Sequence, residues 1–303
     1  MTDLPTLGTR VSLRYRLPDG STPPHTDVVG HVVEIGPTVR VRTKRGDVVD
    51  IAASDVVAVR VVPEIPVRTG EIRNLEHAAA LAWPGIEHIW QDGWLLRYGR
   101  GCTRRANSAV PLRYTSHTEL VAAAQWYAAR RIPVLIYAPD RLFRVPAGVP
   151  VDTETLVMAG DLSEGTAASG VTLTDRPGQN WRAINPRDIP EDLLTAVVDG
   201  AVAFGELAGV AVGRVAITDA PDGTRWAGLS AVHVREGARR QGSGRTLCAG
   251  LLNWAREQGA TRAYVQVLAE NSGARALYES IGFAVHHHSR YVRAQDLLEK
   301  PPS

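Results

Sequence analysis

Over residues 9–62 apolar and polar side chains alternate with period two, in the runs TRVSLRYRL, DVVGHVVEIG, TVRVRTKRG, DVVDI and DVVAVRVV. Successive side chains of a strand point to opposite faces, so each run predicts a short strand with one buried face. Turn sequences such as PDGS and KRGD separate the runs, and together they predict a small antiparallel barrel over residues 1–62. The stretch VVPEIPVRTG, with its prolines and glycine, reads as a linker at about 62–70.

Beyond it the period changes. EIRNLEHAAALAWP predicts a helix, GWLLRYG and ANSAVPL two strands, HTELVAAAQWYAARR a second helix and IPVLIYA a strand, so residues 71–160 form a mixed unit. The small polar stretch GDLSEGTAASG at 160–170 has the composition of a flexible joint. A third unit, residues 171–297, then runs strand (VTLTDRP), helix (PRDIPEDLLTAVVDG), three strands (AVAFGEL, GVAVGRVAI, WAGLSAVHV), a glycine loop with a helix, a strand (TRAYVQVLA), a helix (NSGARALYESIG) and a closing hairpin (FAVHHHSRYVR).

The glycine loop RRQGSGR carries the chemistry. The helix after it has Leu247, Leu251, Leu252 and Ala255 on one side and Arg245, Arg256 and Glu257 on others, which is the helical period. Its first turn leaves backbone N–H groups unpaired at the positive end of the macrodipole, a setting that stabilises a phosphate. Gly242 and Gly244 let an anion approach the backbone, and Arg239, Arg240 and Arg245 add charged donors. The glycines at 242, 244 and 250 miss the dinucleotide spacing G-x-G-x-x-G, and no lysine follows them as a Walker loop requires. A phosphate or pyrophosphate held in some other way is expected.

The pattern Arg/Gln-x-x-Gly-x-Gly/Ala fits instead, at Arg239, Arg240, Gln241, Gly242, Ser243 and Gly244, directly after the strand LSAVHV. It resembles the acyl-CoA pyrophosphate loop of the GNAT acetyltransferase superfamily. One strand later, Asn271, Ala274, Leu277, Tyr278, Gly282 and Phe283 match the superfamily's Asn-x-x-Ala-x-x-Leu-Tyr-x-x-x-Gly-Phe pattern without a break. Asn271 can cap that helix and Gly282 can end it. The resemblance implies an α+β GNAT fold for 171–297, a mixed, largely antiparallel sheet flanked by helices. It also makes residues 71–160 look like a degenerate GNAT-type half without a cofactor motif, one that helps shape the acceptor site. Residues 1–62 resemble barrels of the SH3, Tudor and KOW type, which serve too many functions to name one.

The resemblance further implies acetyl-CoA as acyl donor, its pyrophosphate on the amides of Gln241 to Arg245, its pantetheine arm along Val232, His233 and Val234, and its thioester near Asn271, Ala274 and Tyr278. An amine then attacks the thioester directly, a strand N–H stabilises the oxyanion, and Tyr278 protonates the departing thiolate. The attacking amine must first lose a proton. The strand before the loop lacks the acidic residue common at that place, which leaves His233, Ser230 and Glu206 as candidate bases. The acceptor, a small-molecule or protein amine, is not legible. The missing carboxylate also motivates a second reading, a catalytically silent acyl-CoA sensor.

Composition narrows this little further. Two cysteines, Cys102 and Cys248, without metal or redox spacing suggest a reducing compartment, and the N-terminus has no basic-then-apolar leader pattern, so the cytoplasm is expected. No apolar run is long enough for a membrane span. A net charge of +2 does not argue for nucleic acid. Arg40, Arg42, Lys44 and Arg45 share one hairpin, and without interleaved aromatics they read as a solvated edge, the alternative being a patch that recruits nucleic acid or an acidic partner. His286, His287 and His288 read as a solvated hairpin rather than a metal site, because consecutive strand residues face opposite ways.

Overall fold

A computed structural model describes residues 6–62, 67–113, 120–162, 165 and 168–298. The chain divides into two compact units, Met1–Val67 and Arg68–Ser303. The core of the stretch expected to be the first linker (63–66) and part of the joint expected at 160–170 lie outside the described residues.

The first unit holds β1 (Arg10–Arg16), β2 (His25–Glu34), β3 (Thr38–Thr43), β4 (Val48–Ala52) and β5 (Val56–Val61). All neighbours pair antiparallel in the order β4-β3-β2-β1-β5, and one 3-10 turn, Ala53–Asp55, joins the two edge strands. Val11, Leu13, Val28, Val32, Val39, Val41 and Ile51, the inward members of the period-two runs, make the core. On the outer face Arg40 is paired with Glu34 at 2.9 Å and Asp50 at 3.0 Å, so part of the hairpin's positive charge is already neutralised within the sheet.

The second unit begins with α1 (Thr69–Ala82), followed by β6 (Glu87–Gln91), β7 (Trp94–Tyr98), β8 (Val110–Pro111), α2 (Leu120–Ala128), β9 (Leu135–Pro139) and β10 (Thr153–Asp161). Next come β11 (Val171–Thr174), α3 (Gln179–Ile184), α4 (Glu191–Thr195), β12 (Ala201–Leu207), β13 (Ala211–Asp219) and β14 (Arg225–Val234). The last elements are α5 (Ser243–Glu257), β15 (Arg262–Leu268), α6 (Ser272–Ser280), β16 (Ala284–Arg293) and α7 (Ala294–Leu298). Where the sequence predicts one helix over PRDIPEDLLTAVVDG, only Glu191–Thr195 is helical; Pro186 and Pro190 restrict what can precede it. Among the described residues no helix is long and apolar enough to cross a membrane.

The main sheet has eight strands in the order β11-β12-β13-β14-β15-β10-β16-β9, antiparallel except for β14 and β15. β10 therefore lies between the two C-terminal strands of the sheet, although it precedes the joint expected at 160–170. The chain from Arg68 onward is one compact unit where the sequence suggested two. β10 carries the run LVMA because both of its faces are covered, and its side chains divide strictly. Leu156 and Met158 enter the core under α5, whereas Val157 and Ala159 enter the one under α1, with Leu75, Ala78, Trp226 and Tyr264. The segment FAVHHHSRYVR is a single strand, β16, and not a hairpin; it pairs with β10 on one side and β9 on the other.

That pairing explains why two of the three histidines are not solvated, His288 alone staying partly exposed. Val157 faces His287 and Met158 faces Val285, so His286 is the extra residue of a β-bulge, which turns its ring to the side of its neighbour's. His286 and His287 are both buried, their Nδ1 atoms 2.8 Å apart, and His287 Nε2 lies 2.7 Å from Oε1 of the buried Glu76 on α1. Among the described residues no group of His, Cys, Asp or Glu is arranged to hold a metal ion.

Burial first, then the neighbouring His287, pulls His286 down to about 3. Below the ordinary histidine value of 6.5 the unfolded chain binds a proton that the folded chain refuses, so stability falls as pH drops from there toward 3. Chemical denaturation of wild type at pH 7 and pH 5.5 should show a loss of about 1 kcal/mol attributable to this residue, and His286→Asn should remove that increment from the pH dependence.

Candidate active site

Two sequence-adjacent constraints open the site. β14 and β15 pair in parallel only from Trp226 and Arg262 to Leu229 and Val265. On its other side β14 pairs Ser230 with Arg214 and His233 with Val212 of β13, which leaves one extra residue in β14. The bulge falls at Ala231, whose φ of 50° is left-handed, and it bends β14 away from β15. The strands splay, and a cleft of about 590 Å³ opens between them.

The cleft's walls bring together Ser230, Val232 and His233 from β14 with Asn271, Ala274 and Tyr278 of the α6 segment. Asn271 caps α6, its Oδ1 accepting from the Ala274 amide at 3.0 Å. Tyr278 is 4% exposed, and burial first, with Cys248 second, pushes its phenol well above 10, so the hydroxyl stays protonated. His233, half-buried, is pulled below 6.5 by desolvation and then by Arg239 and Arg235, so its neutral, proton-accepting form is favoured. Ser230 Oγ accepts from Arg214 Nη1 at 3.4 Å. Glu206 sits two strands away on β12, opposite Val212, and is not among the residues that line the cleft.

The glycine loop leads into α5. Gly242 is the N-cap residue with φ of 83°, and Arg240, two residues earlier, has φ of 60°, so two left-handed residues flank Gln241 in front of the helix. The cap has no side-chain hydrogen bond, and among the described residues the N–H groups of Gln241 to Arg245 have no backbone partner. A side chain on Gly244 would place Cβ 3.2 Å from Leu277 and 3.4 Å from Val234, so this glycine lets α5 close against α6 and β14. Arg239 donates to the Val234 carbonyl at 3.2 Å and Arg245 to the Ser280 carbonyl at 3.0 Å. The fit to a pyrophosphate is therefore good: unpaired amides, a helix start and guanidiniums tied to carbonyls rather than to carboxylates.

The arrangement joins an anion cradle to a cleft with a buried phenol and a neutral imidazole. The chain matches the family model described as "Probable histone acetyltransferase Rv0428c C-terminal" over residues 69–292, and that of the Rv0428c N-terminal Sm-like domain over residues 5–60. It is 48% identical over 299 residues, 98% of each chain, to the probable histone acetyltransferase Rv0428c of Mycobacterium tuberculosis. The chain belongs to the Rv0428c family of acetyltransferases. A second relative, the uncharacterized N-acetyltransferase YobR of Bacillus subtilis, is 38% identical over 251 residues, 74% of this chain and 99% of YobR. Among solved structures, a GCN5-related N-acetyltransferase from Kribbella flavida shares the fold with a TM-score of 0.55 at 17% identity, over 75% of this chain and 96% of that one.

The cleft is also lined by residues to which sequence reasoning assigned no individual role there. Trp83 follows α1, Cys102, Arg104 and Arg105 belong to the 99–109 loop, and Asn185 and Arg187 lie between α3 and α4. None sits in a motif; topology alone gathers them. Trp226, at the start of β14, is a core residue packed against Tyr264. Cys248 is a packing residue whose thiol burial pushes up to about 12, whereas Cys102 is exposed at the cleft.

The Asn271 cap is solvent-exposed and local, so Asn271→Ala should cost about 1 kcal/mol in chemical denaturation, with Asn271→Asp recovering most of it.

Proposed function

We propose that the protein transfers an acetyl group from acetyl-CoA to an amine by direct attack of that amine on the thioester. The observation that carries this reading is the splay of β14 from β15 at the Ala231 bulge, with the unpaired amides of α5 at one end and the buried Tyr278 inside. Acetyl-CoA supplies an activated acyl thioester. The amides of Gln241 to Arg245 and the Arg239, Arg240 and Arg245 side chains hold its pyrophosphate, and the strand edge of Val232 to Val234 lies alongside its pantetheine arm.

The protein's own proton chemistry follows from burial. Tyr278, kept protonated, is the group that gives a proton to the leaving sulfur. His233, kept neutral, accepts one from the incoming ammonium, directly or through water; Ser230, already a hydrogen-bond acceptor for Arg214, is the runner-up. Glu206 would need a relay across β13 and ranks third.

A second reading takes its acceptor from the description of the mycobacterial relative, a probable histone acetyltransferase, and makes the amine a protein lysine. The silent-sensor reading keeps the cradle and drops the chemistry.

Thiol release from acetyl-CoA over a panel of amines and peptides separates these. Tyr278→Phe should lower kcat by about 100-fold or more while acetyl-CoA affinity stays within about twofold. Gly244→Asp should weaken acetyl-CoA binding by more than about tenfold, since it adds a carboxylate and a contact with Leu277 where the pyrophosphate is held. Tight cofactor binding with no thiol release from any amine would leave only the sensor.

A further inference from the structure

The acceptor end of the cleft is unusual in its charge. Among the described residues no Asp or Glu lines the cleft, whereas Arg104, Arg105 and Arg187 do. Arg104 is committed to Asp152 at 2.8 Å, but among the described residues neither Arg105 nor Arg187 is paired with a carboxylate.

Two more guanidiniums stand behind this wall. Arg214 is 1% exposed and donates to the carbonyls of Leu194, Ala82 and Ala196 at 2.6, 3.0 and 2.9 Å, with its charge 4.4 Å from the Trp83 ring centre. Arg97, 3% exposed, donates to the carbonyls of Ser108 and Trp83 and to Ser108 Oγ. Arg105 lies over Trp83 at 5.8 Å. Two guanidiniums thus lie over the Trp83 ring and a third, Arg97, donates to the Trp83 carbonyl, and Arg105 is close enough to oppose protonation of both buried ones after burial itself has done so.

Neutral donors also wait there. The Trp83 indole N–H and the Asn185 side-chain amide nitrogen are buried without a hydrogen-bond partner, and both residues line the cleft. Asn185 Oδ1 is occupied by the Arg187 amide at 3.3 Å, which leaves its NH₂ as the free group. Positive charge and orphan donors without an acceptor define the complement of an oxyanion.

We propose that the acceptor amine carries a small anionic group, a carboxylate or phosphate, held at the Trp83 end of the cleft by Arg105 and Arg187 with the Trp83 and Asn185 donors. This rests on the transferase reading for its activity. It places a lysine-rich protein tail at a disadvantage, since cationic side chains would enter a cleft with no carboxylate to meet them.

The test is a kinetic panel of matched pairs: free amino acids beside their carboxamides, phosphoethanolamine beside ethanolamine, and lysine-rich peptides. Calorimetric titration of the same compounds into the CoA-saturated protein runs in parallel. At least one anionic member should exceed its neutral partner by about 100-fold in kcat/KM, mainly through KM. Amino acids alone responding would assign a carboxylate, phosphoethanolamine alone a phosphate. Arg105→Gln should raise KM for that compound about 30-fold or more and erase its advantage, Arg105→Lys should recover part of it, and acetyl-CoA affinity should not move. Neutral amines or lysine-rich peptides turned over as well as or better than anionic ones would overturn the proposal and leave the transferase standing. Absence of thiol release throughout would overturn the transferase instead; the titrations then decide, and binding of no anionic compound would overturn this proposal too.

Discussion

The structure depends on one extra residue in β14. Ala231 sits at φ of 50°, a conformation that costs a non-glycine residue on the order of 1 kcal/mol, and it is held there because β13 pairs with β14 on both sides of it. The bulge ends the parallel pairing with β15 at Leu229 and Val265. Backbone N–H and C=O groups beyond that point face a gap instead of a strand, and in a protein such groups want partners. A ligand with its own amide groups can occupy the gap as a strand would. The same departure positions the helices that leave the two strands. α5 starts at the mouth of the gap and α6 closes its side, so the anion cradle and the Tyr278 phenol inherit their separation from where β14 and β15 part.

How much of this was legible in the sequence differs by the range of the interaction. The glycine loop and the α6 motif are local: a left-handed Gly242, a cap by Asn271 and a close approach at Gly244 are each written in two to six residues, and they are legible at that scale. The alternating runs of the first unit were legible for the same reason, since one solvated face leaves a period of two. β10 was not, because a strand covered on both faces shows an apolar run with no period and because its partners β15 and β16 lie more than a hundred residues away. The histidine run misleads for a related cause. Strict alternation predicts opposite faces for neighbours, and a bulge, which depends on the partner strand, brings His286 and His287 together. Arginines 97, 105 and 214 gave no signal at all, since nothing in sequence distinguishes an arginine that salt-bridges at the surface from one that is buried among carbonyls.

Those arginines bear on the balance between stability and function. A buried guanidinium without a carboxylate gives up hydration and recovers it only through neutral acceptors and the face of an aromatic ring, so it is a poor way to stabilise a core. Burial accordingly draws Arg214 down to about 9, still charged at neutral pH. A carboxylate placed beside Arg214 or Arg105 would relieve that cost to the fold, but it would also quench the field in the cleft and compete for the same donors. Carbonyl oxygens satisfy the N–H groups of Arg214 and Arg97 without adding a negative charge. The fold therefore keeps its guanidiniums hydrogen-bonded and its cleft positive at once, and the orphan donors of Trp83 and Asn185 are the remaining imbalance, on the side where an oxyanion would correct it. An apolar replacement such as Arg214→Met would remove the desolvation cost and one of the charges behind Ser230 together, leaving three carbonyls without their donor. The hydrogen bonds that hold Arg214 also tie β13 to the ends of α1 and α4, which couples the charge of the cleft to the packing of those helices on the sheet.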